Sequence, residues 1–143
     1  MQSYFPSKKN FLAYAKKYNL ISVYREILAD LETPVSCFLK LGDKPYSYLL
    51  ESVEGGEKMA RFSFIGASYS QVLQSQRGKD PLIDLEKVLK RWHKAPVAGL
   101  PPFSGGAVGY LGYDTVRYIE DIPEKNRDVY GLPESVFIIS DTI

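Results

Sequence analysis

Tyr46-Ser-Tyr-Leu-Leu-Glu-Ser52 and, beyond the turn residues Gly55-Gly56, Ala60-Arg-Phe-Ser-Phe-Ile-Gly66 decide the fold of this chain. Each is a short run of aromatic and aliphatic residues with polar ones interleaved, the pattern of a half-buried strand. Turn chemistry between two such runs makes them neighbouring antiparallel strands. Strict alternation puts Tyr46, Tyr48, Leu50 and Ser52 on one face, and Ser47, Leu49, Glu51 and Val53 on the other. The first strand therefore ends in a carboxylate and a hydroxyl, Glu51 and Ser52. Such a pair is suited to orient a small zwitterion beside an apolar slot. Contact of both with one ligand requires a bulge or a backbone contribution. The plainer readings are that the two residues open the turn, or that Arg61 pairs with Glu51 across the hairpin.

Outward from the hairpin, Ser7 is a candidate N-cap for a helix in which Phe11, Leu12, Ala15 and Tyr18 recur at helical spacing. Val23, Ile27, Leu28 and Leu31 share a face of a second expected helix, from Val23 to Leu31. Thr33-Pro34 is expected to end it, because the residue before proline is pushed out of the helical region. Strand-like runs follow at Val35–Leu41, Tyr46–Val53, Ala60–Gly66 and Tyr69–Gln76. Gly42-Asp43, Gly55-Gly56 and Arg77-Gly78 supply turns between or after them. Asp80 and Pro81 then fit the N-cap and first position of a helix, whose apolar stripe is Leu82, Leu85, Val88, Leu89 and Trp92. Ala95–Pro102 reads as a loop, Phe103–Tyr113 as a glycine-crowded strand, Glu120–Gly131 as an exposed connection, and Val136–Ile139 as a short buried strand. Helices, then strands, then a helix, then strands predict an α+β domain of antiparallel sheets with flanking helices.

At 143 residues, with 45% hydrophobic and 24% charged residues, the chain has the length and composition of one soluble domain. Its 18 Lys and Arg against 17 Asp and Glu leave a formal charge of +1, too little to draw in nucleic acid. The small basic groups Lys8-Lys9, Lys16-Lys17 and Lys90-Arg91 read as solvated helix faces. No apolar run approaches the roughly 18 residues of a membrane span, and no segment has a signal-peptide layout. A cytoplasmic location, away from membranes, is the expectation. The single Cys37 lies in the apolar run Val35–Leu39 and reads as a small buried hydrophobe.

Gly106, Gly109 and Gly112 recur every third residue in Ser104–Gly112. Neither G-x-G-x-x-G nor a Gly-Lys-Ser/Thr is present, so a phosphate loop is disfavoured against a strand whose backbone closely approaches a neighbour. His93, the lone histidine, is expected to interact with the C-terminus of the helix before it. Glu120-Asp121 and Asp84/Glu86 show no sign of a shared pocket. No catalytic residue set and no metal site is expected within the chain. The apolar, tail-less finish at Phe137–Ile143 leads us to expect a piece of a longer polypeptide.

Five blocks, in this order, resemble anthranilate synthase component I: Thr33-Pro-Val-Ser-Cys-Phe-Leu-Lys40, Tyr48-Leu-Leu-Glu-Ser-Val-Glu54, Ala60–Gly66, Pro102–Asp114 and Pro133-Glu-Ser-Val-Phe137. The resemblance covers nearly the whole chain. It implies a part of a four-layer α/β/β/α fold, with residues 1–143 as its N-terminal regulatory domain and the chorismate-binding catalytic region absent. For the full-length enzyme it implies conversion of chorismate and ammonia to anthranilate and pyruvate in tryptophan biosynthesis. Mg2+ would be bound by residues outside this chain, and ammonia would come from a glutamine amidotransferase subunit. Ser52 matches the tryptophan-binding serine of the family, with Glu51 and Leu50 as neighbours in a feedback pocket completed by the absent region. Aminodeoxychorismate synthase component I and a non-catalytic amino-acid-sensing module are the alternatives.

Overall fold

A computed structural model of the protein describes residues 3–41, 44–51, 62–123, 125 and 127–143. Helix α1 (Lys8–Tyr14) starts where Ser7 Oγ accepts from the amide of Asn10 at 3.3 Å, so the expected cap is in place. The helix expected over Val23–Leu31 is not there. Tyr24 instead bridges antiparallel to Phe5, and Val23, Ile27, Leu28 and Leu31 are 52%, 60%, 91% and 98% exposed. A shared helical face had no core to meet at this point, and spacing alone does not hold a short helix.

Helix α2 (Pro34–Leu41) replaces the strand expected over Val35–Leu41. The Thr33-Pro34 pair read as a stop is a start. Thr33 Oγ1 accepts from the Ser36 amide at 3.1 Å, and Ser36 Oγ accepts from the Thr33 amide at 2.9 Å. These are the two reciprocal bonds of a capping box, with proline at the first helical position where its missing N–H costs nothing. Ser36 Oγ also donates to Glu32 at 2.6 Å, and Lys40 one turn further reaches the same carboxylate. Cys37 is thus half-buried on a helix rather than inside a strand.

Strands β1 (Tyr48–Glu51) and β2 (Ser63–Gly66) form the expected antiparallel pair, in the register Tyr48–Gly66 through Glu51–Ser63. Helix α2 packs against both. Only Ala67 separates β2 from β3 (Ser68–Ser75), which belongs to a second sheet. That sheet has the order β3–β5–β4, all antiparallel, with β4 at Gly106–Leu111 and β5 at Ser135–Thr142. The strand expected over Val136–Ile139 is therefore longer and central. Ser135, Ile138, Ile139 and Ser140 are its buried residues. Two antiparallel sheets with flanking helices make the domain α+β, as the order of elements predicted.

Helix α3 (Pro81–Leu89) begins as expected, Asp80 accepting from the Leu82 amide at 2.9 Å. It buries Pro81 and Val88 and packs on β3. It stops before Trp92 and His93, which lie in the segment after it. There the N-terminal chain is laced on by Asn19: its Nδ2 donates to Arg91 O at 2.7 Å, and its Oδ1 accepts from the His93 amide at 2.6 Å. Ala95, 2% exposed, donates its amide to Leu20 O at 2.8 Å. His93 does not cap α3; its ring lies tilted against Tyr18, centroids 4.8 Å apart. The expected strand Phe103–Tyr113 is shorter, because Tyr113–Tyr118 coils into a 3-10 helix. The described residues of the 120–131 connection carry no helix or strand and are exposed.

Gly109 explains the glycine run. A Cβ there would lie 1.9 Å from Val136 O and 2.7 Å from Phe137 Cα, inside the β4–β5 ladder. This is close backbone approach rather than a phosphate cradle.

Candidate functional site

The site begins at the end of β1. Register places Tyr48 and Leu50 beside Gly66 and Phe64 on one face of the hairpin, and Leu49 and Glu51 beside Ile65 and Ser63 on the other. The first face is aromatic. Phe64 stacks on Phe62 at 6.0 Å and meets Phe103 edge-on at 5.5 Å. A Cβ at Gly66 would fall 2.1 Å from Tyr48 Cε1, so a side chain there would displace the Tyr48 ring. The ring of Tyr48 thus lies over its cross-strand neighbour, and its hydroxyl meets the buried Ser140 Oγ at 2.9 Å. This bond ties the small sheet to the middle strand of the large one. Partial burial raises the Tyr48 phenol above its ordinary range, against a smaller opposing effect of the Ser140 hydroxyl.

Leu50 is 44% exposed at the edge of the aromatic face, and Glu51 is exposed on the opposite face with no ion pair among the described residues. Ser52 and Arg61 lie outside the described residues, as does the Gly55-Gly56 turn. The structure thus places two of the three expected ligand-binding residues, side by side in sequence and on opposite faces. A single ligand held by both would have to reach both faces of β1.

Of the acidic residues set aside in the sequence, Asp84 and Glu86 form surface ion pairs. Asp84 is held by Lys87 at 3.2 Å and Lys79 at 3.7 Å, and the Lys87 hydrogen bond is the main cause of its lowered carboxyl pKa. Glu86 pairs with Lys90 at 2.6 Å. Among the described residues no three His, Cys, Asp or Glu side chains converge. None of the described helices is long and apolar enough to cross a membrane.

Sequence reasoning missed a second arrangement, around the 3-10 helix. Tyr118 Oη accepts from the amides of Gly78 and Lys79 at 2.8 and 3.0 Å and donates to Glu134 at 2.5 Å. It pins the turn after β3 to the residue that leads into β5. Arg117, bonded to Asp114 at 2.9 Å and to Ile122 O at 2.7 Å, borders a cleft of about 560 Å³ that also takes in Arg127, Tyr110 and Tyr130. The i,i+3 spacing of Asp114 and Arg117 was the available signal.

No protein-family model matches the chain. Individual proteins do. It is 47% identical over 134 residues, 92% of its length, to a probable anthranilate synthase component 1 of Schizosaccharomyces pombe. It is 40% identical over 96% of its length to anthranilate synthase component 1 of Pseudomonas putida, and 37% identical over 98% to that of Acetivibrio thermocellus. This chain is a homologue of part of anthranilate synthase component 1. It spans 27%, 32% and 31% of those three proteins, under a third of each. Matches of 92–98% of the chain leave only about a dozen residues or fewer unmatched, so the hairpin lies within the region similar to anthranilate synthase component 1.

Proposed function

We propose that the chain is the N-terminal, regulatory domain of an anthranilate synthase component 1. The observation that carries this reading is identity of 37–47% maintained over 92–98% of the chain to proteins of that name. The whole protein is then a lyase of tryptophan biosynthesis that converts chorismate and ammonia to anthranilate and pyruvate. As a component 1 it works with a component 2, the glutamine amidotransferase that delivers ammonia. Chorismate and Mg2+ are bound by parts of the polypeptide beyond this chain, and residues 1–143 alone are inactive. The location is cytoplasmic.

Within this reading, Leu50, Glu51 and Ser52 form part of the feedback site for L-tryptophan. The carboxylate of Glu51 suits the ligand's ammonium and the hydroxyl of Ser52 its carboxylate. Leu50, at the edge of the face that carries Phe64, suits the indole. Inhibition requires tryptophan to bind one conformation of the enzyme better than another. The hydrogen bond between Tyr48 and Ser140 supports a route for that preference, because it joins the ligand-bearing strand to the core of the larger sheet.

The test is Ser52→Phe in the full-length enzyme. A ring in place of the hydroxyl fills the pocket, so tryptophan inhibition is lost while anthranilate formation persists. Inhibition curves that superimpose on those of the unmodified enzyme would refute the assignment of the site. A full-length protein that forms aminodeoxychorismate would refute the assignment of the reaction.

A further inference from the structure

The cleft beside the 3-10 helix has a one-sided balance of hydrogen-bonding groups. It lies between that helix, the turn after β3 and the 127–134 connection. The connection is held in shape by its own bonds. Asp128 Oδ1 accepts from the amides of Tyr130 and Gly131 at 3.1 and 2.9 Å, and Tyr110 Oη donates to Pro133 O at 2.9 Å. At about 560 Å³ the space falls within the ~300–1,000 Å³ of small-molecule pockets. Three arginines and three carboxylates line it, so the formal charges balance, but their commitments do not. Asp114 accepts from Arg117 Nε at 2.9 Å, Asp128 is turned to backbone amides, and Glu134 accepts from Tyr118 Oη at 2.5 Å. Each carboxylate thus already has a donor from the protein.

The donors are less fully used. Arg77 is already engaged. Arg117 uses Nε on Asp114 and Nη1 on Ile122 O, which leaves Nη2. Arg127 is exposed and has no partner among the described residues. What remains for a ligand is guanidinium N–H, a planar donor set that matches the oxygens of a carboxylate or phosphate. Tyr113 and Tyr130, 84% and 86% exposed, add ring surface to the same cleft. We propose that this cleft binds a small oxyanion, a carboxylate or phosphate on a compact molecule, through Arg127 and the remaining N–H groups of Arg117. Neither Leu50 nor Glu51 lines it, so the site is separate from the proposed feedback pocket and does not depend on that reading.

Calorimetric titration of the full-length polypeptide tests it, with inorganic phosphate and phthalate as probes of the two sources of oxyanion. At least one of them is expected to bind saturably, and more weakly as salt is raised. Arg127→Gln, which removes no contact of the fold, is expected to lower that affinity about 10-fold or more. Arg25→Gln is the control. Its guanidinium lies over the Tyr4 ring, 5.6 Å from the centroid, and not in the cleft, so the affinity stays unchanged. Binding of phosphate alone assigns the ligand to phosphates, and binding of phthalate alone to carboxylates. Absence of binding by both overturns the proposal, as does an affinity that Arg127→Gln leaves intact or that Arg25→Gln lowers equally. An oligoglutamate peptide that binds where neither small anion does overturns it too, since the cleft then serves a polypeptide partner. Tryptophan inhibition kept or lost in Ser52→Phe bears on the proposed function alone, and the anion titration is expected to be the same in that variant.

Discussion

Gly109→Ala is the sharpest perturbation of this fold. The new methyl would lie 1.9 Å from Val136 O and 2.8 Å from Val136 C, both rigid backbone atoms of the strand's partner. To reach an ordinary contact the oxygen must retreat by about 1.5 Å, which stretches a ladder bond of ~2.9 Å well beyond hydrogen-bonding range. Two ladder bonds at ~1 kcal/mol each, plus ~1–3 kcal/mol of overpacking, give a loss of about 3–5 kcal/mol. That is a large share of the ~5–15 kcal/mol that hold a domain together. Urea unfolding should show it as a much lower midpoint with unchanged slope, and heating as a fall in Tm of about 10–20 °C. Gly112→Ala is the control, because its methyl meets Glu134 O at 3.1 Å, a contact that a small shift relieves. A Gly109→Ala loss below about 1 kcal/mol, or one equal to the Gly112→Ala loss, would refute the register assigned to β4 and β5.

Three further perturbations act on single contacts. Thr33→Ala removes the hydroxyl that receives the Ser36 amide and should cost about 1 kcal/mol in denaturant unfolding, with Thr33→Ser largely neutral. Tyr48→Phe leaves the buried Ser140 hydroxyl without its partner, an expected loss of about 1–2 kcal/mol at neutral pH. Because the folded-state pKa of Tyr48 is raised above 10.0, its contribution is present below that pH and is lost as pH rises past it; the difference between wild type and Tyr48→Phe should shrink over that range. Glu32 behaves oppositely. Hydrogen bonds from Lys40 first and Ser36 second hold its carboxyl below 4.5, so the stabilisation is present above that pH and drains away as acid protonates it. Glu32→Gln should flatten the acid limb of a stability–pH curve, and an unchanged limb would count against the Lys40 contact.

Where turn chemistry and alternation spoke together, the sequence was readable. Asp80-Pro81 named the start of α3, and the runs flanking the Gly55-Gly56 turn named the β1–β2 pair. The failure was local and physical. Thr33-Pro34 carries two opposite messages, since a proline can close the segment before it or open a helix after it. The choice depended on Ser36 completing a capping box, with serine where glutamate is usual. Val35–Leu41 was ambiguous by periodicity, a short apolar run that fits strand or helix. Val23–Leu31 mimicked a helical face by spacing, yet its apolar residues are exposed and contribute nothing to this domain's core. At the candidate site, β1 and the faces of Leu50 and Glu51 were legible from alternation. The link that positions them was not, because Tyr48 reaches Ser140 across 92 residues, and the same is true of the fold at large, where Asn19 reaches Arg91 across 72. No spacing rule carries over such distances.

The order of the larger sheet also governs how the molecule is made. β5 stands between β3 and β4 in space yet comes after both in the chain, and those two have no ladder with each other. During synthesis the earlier strands must therefore wait, unzipped, until Ser135–Thr142 clears the ribosome and slots between them. Birth of this domain is a late, all-at-once event rather than a stepwise one. The nascent chain spends that interval with two adhesive edges open, a period in which chaperones have something to hold.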